Sequence, residues 1–414
     1  MNSGDIAFIL VSSALVLFMT PGLAFFYGGL ERRKNVLNTM MSSVFIMGLA
    51  SILWVLIGYS LSFGDNIGGV IGSLNFFGLN GVEAEAAGPY SATIPHLAFA
   101  MFQMMFAIIT PALITGSVAG RMNFKALFIF IALWSIIVYY PMAHMVWGAG
   151  GLLGSVIGSV DFAGGNVVHI SSGVSGLVLS IIIGSRHGYK QVSYRTHNIP
   201  FIVLGGAILW FGWFGFNAGS ALAANGLAVQ AFMTTNTSAA CAMLSWMAID
   251  YFREGKPTVV GAVTGAVLGL VAITPAAGFV PIWAAIIIGI TVSPICYFAM
   301  SVVKKRFGYD DALDAFGCHG IGGIWGALMT GVFTQTSINS VARWDGLAFG
   351  DYHLFLAQVI SIVITIAVAG VGTAICAFIV KLFVPLRVTS EEEKIGLDLS
   401  QHGENAYPAF NGLD

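Results

Sequence analysis

The sequence predicts an all-α polytopic membrane protein: eleven transmembrane helices, built as two inverted five-helix repeats plus an eleventh helix. Three observations carry this: the composition, the placement of the basic residues, and a motif that occurs once in each half. Of 414 residues, 57% are hydrophobic and only 9% charged, and the mean hydropathy is +0.86. Soluble domains carry about 25% charged residues, and a chain this apolar cannot stay solvated as a disordered polymer. The net charge of −2 gives no reason to expect a nucleic-acid partner. Fifty-two glycines and thirty-one phenylalanines point to close helix packing around an aromatic interior. Cys241, Cys296, Cys318 and Cys376 lie inside apolar runs without metal-ligand spacing, so they read as packing residues.

Apolar stretches long enough to span occur at 5–27, 40–61, 95–118, 124–142, 161–184 and 198–218. Others follow at 228–250, 258–277, 279–302, 314–334 and 353–384. The Gly-rich segment 142–160 competes as a twelfth, and charge arbitrates, because Lys and Arg gather in cytoplasmic loops. With eleven spans one side receives Arg32, Arg33, Lys34, Arg121, Lys125, Arg186, Lys190 and Arg195. Arg253, Lys256, Lys304, Lys305, Arg306, Lys381, Arg387 and Lys394 join them, leaving Arg343 alone among seventeen basic residues. A twelfth span would cut the larger group from sixteen to eleven. The amino terminus is then outside, and the tail 386–414, beyond a membrane domain over 1–385, is cytoplasmic. Residues 1–10 hold no Lys or Arg, so the charged segment of a cleavable signal is missing.

The fifth and tenth spans share the pattern D-x7-H-x3-G-x2-G, running Asp161, His169, Gly173, Gly176 and Asp311, His319, Gly323, Gly326. Five spans separate the copies, so the second half (198–334) crosses upside down relative to the first (5–184). Each glycine pair shares a helix face with its histidine and allows close backbone approach there. Ionisable residues inside hydrocarbon are costly and usually face a cavity or a partner, so His169 and His319 are expected to meet near the midplane. Such a pair can share a proton, bind a metal or ligate haem. Metal is disfavoured because no Cys, Asp or Glu within a few turns completes a shell; bis-histidine haem is the runner-up. Asp161 and Asp311 read first as helix caps, and the cluster Asp310, Asp311, Asp314 as a solvated loop.

Aromatic groups stand near the outer ends of spans. Phe102 and Phe106 project from one helix face, Trp147 ends the string HMVW, and Phe216 and Ser220 belong to WFGFNAGS. Aromatic faces attract small cations and a serine hydroxyl adds an acceptor. Taken singly, each is more often core or interface packing.

Seven strings, spread from the first span to the tail, resemble the ammonium transporter (Amt/Mep/Rh) family, in its microbial and plant branch. They are PGLAFFYGGL (21–30), RRKN (32–35), HMVWG (144–148), DFAGGNVVHI (161–170), WFGFNAGS (213–220), DDALDAFGCHG (310–320) and GLDLSQHGENAY (396–407). The resemblance implies a transporter rather than an enzyme: a homotrimer with one hydrophobic pore per subunit and no cofactor or metal. It implies an outer ammonium site at Trp147, Phe106, Phe216 and Ser220, with Asp161 buried nearby. Phe102 and Phe106 would gate the pore, and His169 and His319 would line it. Between the two phenylalanines, where the family's pattern differs, Gln103 is followed by the bulky Met104 and Met105. A tail packed beneath the trimer and a PII-type regulatory protein at the cytoplasmic face are also implied. An ammonium-sensing receptor on the same fold is the alternative function. The sequence stops at Asp414, seven residues after GENAY; plain transport is expected if that is the natural end, and sensing revives if a longer chain was trimmed.

Overall fold

The computed structural model describes residues 1–192 and 194–407; Ser193 and the last seven residues of the predicted tail lie outside it. Eleven long helices are present among the described residues, as the charge distribution requires. They are α1 (Ser3–Leu30), α2 (Arg33–Phe63), α3 (His96–Val118), α4 (124–147), α5 (Gly165–Ile183), α6 (Ile199–Gly219), α7 (Gly226–Glu254), α8 (Val259–Ile273), α9 (Ile282–Phe307), α10 (Phe316–Phe333) and α11 (His353–Lys381). Side chains of Asn2, Asn123, Asn198, Asn225 and Thr258 accept backbone N–H bonds at the starts of α1, α4, α6, α7 and α8, satisfying amides that a helix start leaves unpaired. Several helices outrun their apolar stretches: α4 continues to Trp147, and α9 runs through Lys304, Lys305 and Arg306. Helical hydrogen bonding persists where the apolar signal has already ended. Segment 142–160 is not a span; beyond α4 it holds only a short π-type turn over Leu152–Ile157.

The two halves interlock. The α1–α6 pairing is the most extensive in the molecule, α7 packs on α8 and α9, and α11 lies across α5, α4 and α10. The repeat appears directly in α5 and α10, which open alike: an irregular stretch, then a π-type turn holding the histidine (Gly165–Ile170 and Phe316–Ile321), then α-helix. Asp161 accepts from the amides of Gly164, Gly165, Asn166 and Val167. Asp311 accepts likewise from Ala315 and Phe316. A Cβ on Gly173 would overlap the Gly320 backbone, and one on Gly323 would crowd His169 and Ile170. The paired glycines thus let α5 and α10 cross where the histidines are.

One end of the bundle gathers the basic residues and most of the buried ion pairs. Here Asp310 and Asp311, each 1% exposed, are not the solvated loop that the sequence implied. Arg186 grips the Asp310 carboxylate at 2.9 and 2.7 Å, Arg121 donates to its carbonyl, and Arg186 also approaches Glu31 at 3.7 Å. Only Asp314, paired with Lys304 at 2.7 Å, keeps a partly exposed carboxylate. The tail folds onto the same end. Lys34 donates to the Glu393 and Lys394 carbonyls, Asp398 accepts from the Asn38 amide, and Arg387 pairs with Glu393.

Burial pushes the Asp310 carboxyl up, but hydrogen bonds and charge from Arg186 outweigh it and hold the group below the usual carboxylate range. Its contribution to stability is therefore complete above an unfolded value of about 3.9, and is lost as pH falls through the lowered folded value. Removing one partner of a buried pair strands the other charge. Asp310→Ala should therefore destabilise by about 3–5 kcal/mol, seen as a lower melting temperature of the purified protein, whereas the exposed Glu391→Ala should leave it within about 0.5 kcal/mol.

Candidate functional site

His169 and His319 meet. Their Nδ1 atoms are 3.3 Å apart, and the rings lie near-parallel with centroids at 5.3 Å. Both are buried, at 1% and 3% exposure. A hydrogen bond between two Nδ1 atoms requires one ring to donate and the other to accept. For neutral imidazoles this fixes opposite tautomers, so one Nε2 is a free acceptor and the other carries a proton. His169 Nε2 has no hydrogen-bond partner among the described residues despite its burial, which leaves it available to a small polar guest. Haem iron between two imidazoles would hold its two nitrogens about 4 Å apart, given bonds of about 2 Å each, so the 3.3 Å contact does not accommodate it.

Two cavities flank this region. The proximal cavity, about 380 Å³, reaches from the histidines to the basic end and is lined by Tyr27, Leu113, Val168, Trp213, Phe216 and Cys318, with Tyr194 and Asp314 toward its mouth. The distal cavity, about 160 Å³, lies at the opposite end and is lined by Phe63, Tyr90, Phe99, Gln103, Phe106, Trp147, Phe162, Ser220 and Leu222. Phe106 lines the distal cavity and Phe216 the proximal one, and their rings touch at 4.5 Å between centroids. This contact is the partition between the two spaces. Behind it Phe216, Trp213 and His169 form a continuous stack, with His169 5.9 Å from Phe216 and 5.5 Å from Trp213.

The structure gathers the sequence's candidates unevenly. Trp147, Phe106 and Ser220 share the distal cavity, and Phe216 stands one ring deeper. Phe102 packs edge-on against Phe106 at 5.0 Å but lines neither cavity. Asp161 lines neither as well; both its oxygens serve the four amides that begin α5, while its carbonyl accepts from Trp147 Nε1 at 2.9 Å. Asp161 thereby holds the indole and orients the histidine-bearing turn. Met104 and Met105 are buried, at 9% and 4%. Most of the lining residues were not assigned a role in the sequence, and three of them bear on the site. Trp213 had a signal, since it lies one turn before Phe216 in the same string. Tyr90 comes from a loop, stacked on Phe99 at 4.8 Å, and nothing local announces it. Gln103 was visible only as an oddity between two phenylalanines.

The ammonium transporter family model matches residues 7–407. An ammonium transporter of Bacillus subtilis is 52% identical over 98% of this chain and 99% of its own length. The chain belongs to the ammonium transporter family. Its fold agrees with the crystal structure of Saccharomyces cerevisiae Mep2, at a TM-score of 0.88 and 37% identity over 94% of this chain and 88% of that one. A solved structure titled Sensor Amt Protein aligns at 0.87 and 27% identity, over 96% of this chain and 98% of the other. The contact of Phe106 with Phe216 separates the distal cavity from the two buried imidazoles, which line the proximal one. Asp161→Ala removes four amide contacts at the helix bearing one of them. A single cap is worth about 1 kcal/mol, so the variant should melt several degrees lower and lose ammonium uptake, with Asp161→Asn intermediate on both measures.

Proposed function

We propose that ammonium docks in the distal cavity, against Trp147 and Phe106 and the hydroxyl of Ser220, with Phe216 one ring deeper. There it gives a proton to water in the cavity and continues as ammonia; the proton either returns to the outer solvent or is carried separately over the His169–His319 pair. Cation–π attraction supplies about 0.5–2 kcal/mol per aromatic face. The Ser220 hydroxyl donates to the Phe216 carbonyl at 2.8 Å, which leaves its lone pairs to accept from an N–H donor. Beyond Phe106 and Phe216 the walls are mostly apolar. An unpaired ion there loses hydration worth many kcal/mol, whereas neutral ammonia loses far less. Ammonia both accepts and donates, and the paired imidazoles offer one acceptor and one donor. Potassium, similar to ammonium in size and charge, can neither donate nor shed a proton. The observation that carries this reading is the hydrogen-bonded histidine pair set behind an aromatic partition.

The passage runs from outside to inside if the basic end is cytoplasmic in a cell membrane, as the gathering of Lys and Arg supports. The amino terminus is then outside and the tail inside. Asp161 acts as the cap that orients the site, and the contact of Phe106 with Phe216, backed by Phe102, acts as the gate. Assembly as a homotrimer is supported by α7, which is less apolar than the nine helices long and apolar enough to cross a membrane among the described residues. Asn236 is exposed midway along it, near exposed Phe232 and Met233. A trimer would present three tails together, a surface suited to the trimeric PII-type regulator that the family resemblance implies. The likeness to a sensor protein keeps a receptor role as the second reading, and transport by the purified protein decides between them. Replacing both His169 and His319 by leucine should abolish ammonium uptake into potassium-free liposomes. Undiminished uptake would refute the mechanism.

A further inference from the structure

Gln103 is the lining residue of the distal cavity that the mechanism leaves unused. It lies on α3 with Phe99 four residues before and Phe106 three after, so the three share one helix face, and all three line the cavity. The other polar groups there are committed. Tyr90 Oη donates to the Phe63 carbonyl and accepts from the Ala149 amide. Trp147 Nε1 donates to the Asp161 carbonyl, and the Ser220 hydroxyl donates to Phe216. The Gln103 carboxamide has no hydrogen-bond partner among the described residues. A side-chain amide in a chamber whose other polar groups already bond elsewhere has water, or the cargo, to bond.

We infer that the Gln103 side-chain oxygen is a second hydrogen-bond acceptor for ammonium in the distal cavity, beside Ser220, and that it sets affinity and discrimination. Ammonium presents four directed N–H bonds. Two oxygens take two of them, and the aromatic faces meet the rest of the cation. Potassium, which needs about six oxygens in place of its water, as hard cations generally do, gains little from two. Resting on the proposed docking site, this inference concerns recognition only: it moves no proton and lies before the partition formed by Phe106 and Phe216.

The test is ammonium uptake by the full-length protein in liposomes, with half-saturation and maximal rate measured separately. Gln103→Leu should raise the half-saturating concentration about tenfold, the scale of one charge-assisted hydrogen bond, and leave the maximal rate within about twofold. Gln103→Glu, which keeps an acceptor, should hold half-saturation within about threefold of wild type. Inhibition by potassium should be unchanged in Gln103→Leu, so ammonium-over-potassium discrimination falls in step with affinity. Ser220→Ala serves as the reference. If it raises half-saturation while Gln103→Leu does not, the inference is overturned and the docking site stands. If neither variant shifts it, the docking site itself is wrong. A Gln103→Leu protein that loses maximal rate at normal half-saturation also overturns the inference, because Gln103 then acts on passage rather than recognition.

Discussion

The 3.3 Å contact between His169 and His319 joins the two halves of the chain at their least tolerant point. Neither imidazole can be placed without the other, since one must donate what the other accepts. Everything around them serves that registration. Gly173 and Gly323 let the two helices approach until the backbones touch. Asp161 and Asp311 fix the start of each helix, and with it the turn from which each ring projects. The stack of Phe216 and Trp213 on His169 closes the remaining side. A polar pair this deep is stable only if its bonds are made, and His169 Nε2, in the wall of the proximal cavity, is buried without a partner among the described residues.

The inverted repeat gives one device to both ends of the passage. In each half an acidic side chain caps a short irregular segment, a π-type turn follows, and the histidine sits within that turn. Such turns interrupt regular helical bonding and recur at functional sites. The halves differ in their surroundings. The Asp161 end meets an aromatic chamber, whereas the Asp311 end meets a buried network of Arg186, Arg121, Asp310 and Glu31. Tyr194 is held between Arg32 and Arg186, at 4.8 and 4.3 Å from the two guanidinium carbons, so the loop at the proximal mouth is bound into the same network as the tail.

Much of this was legible in the sequence because hydropathy and basic charge are properties of local segments. Eleven spans and the motif around each histidine follow from one-dimensional patterns. The meeting of the two histidines followed once the topology showed the copies to be inverted. What stayed hidden depended on partners far along the chain. Asp310 looked like a solvated loop residue because Arg186 lies 124 positions away and Arg121 lies 189 away. Tyr90 reaches the distal cavity from a loop with no periodicity to betray it. Phe102 and Phe106 share a helix face, yet the partner that divides the cavities is Phe216, from another helix. Helix spacing finds neighbours on one helix and says nothing about the ring across from them.

The central claim is that the passage beyond Phe106 and Phe216 admits the neutral molecule and excludes the ion. It is tested most directly by comparing ammonium and potassium flux through the wild-type protein, reconstituted in liposomes under equal inward gradients. The account predicts ammonium-driven uptake with potassium flux no greater than in protein-free liposomes. Potassium flux comparable to that of ammonium would contradict it.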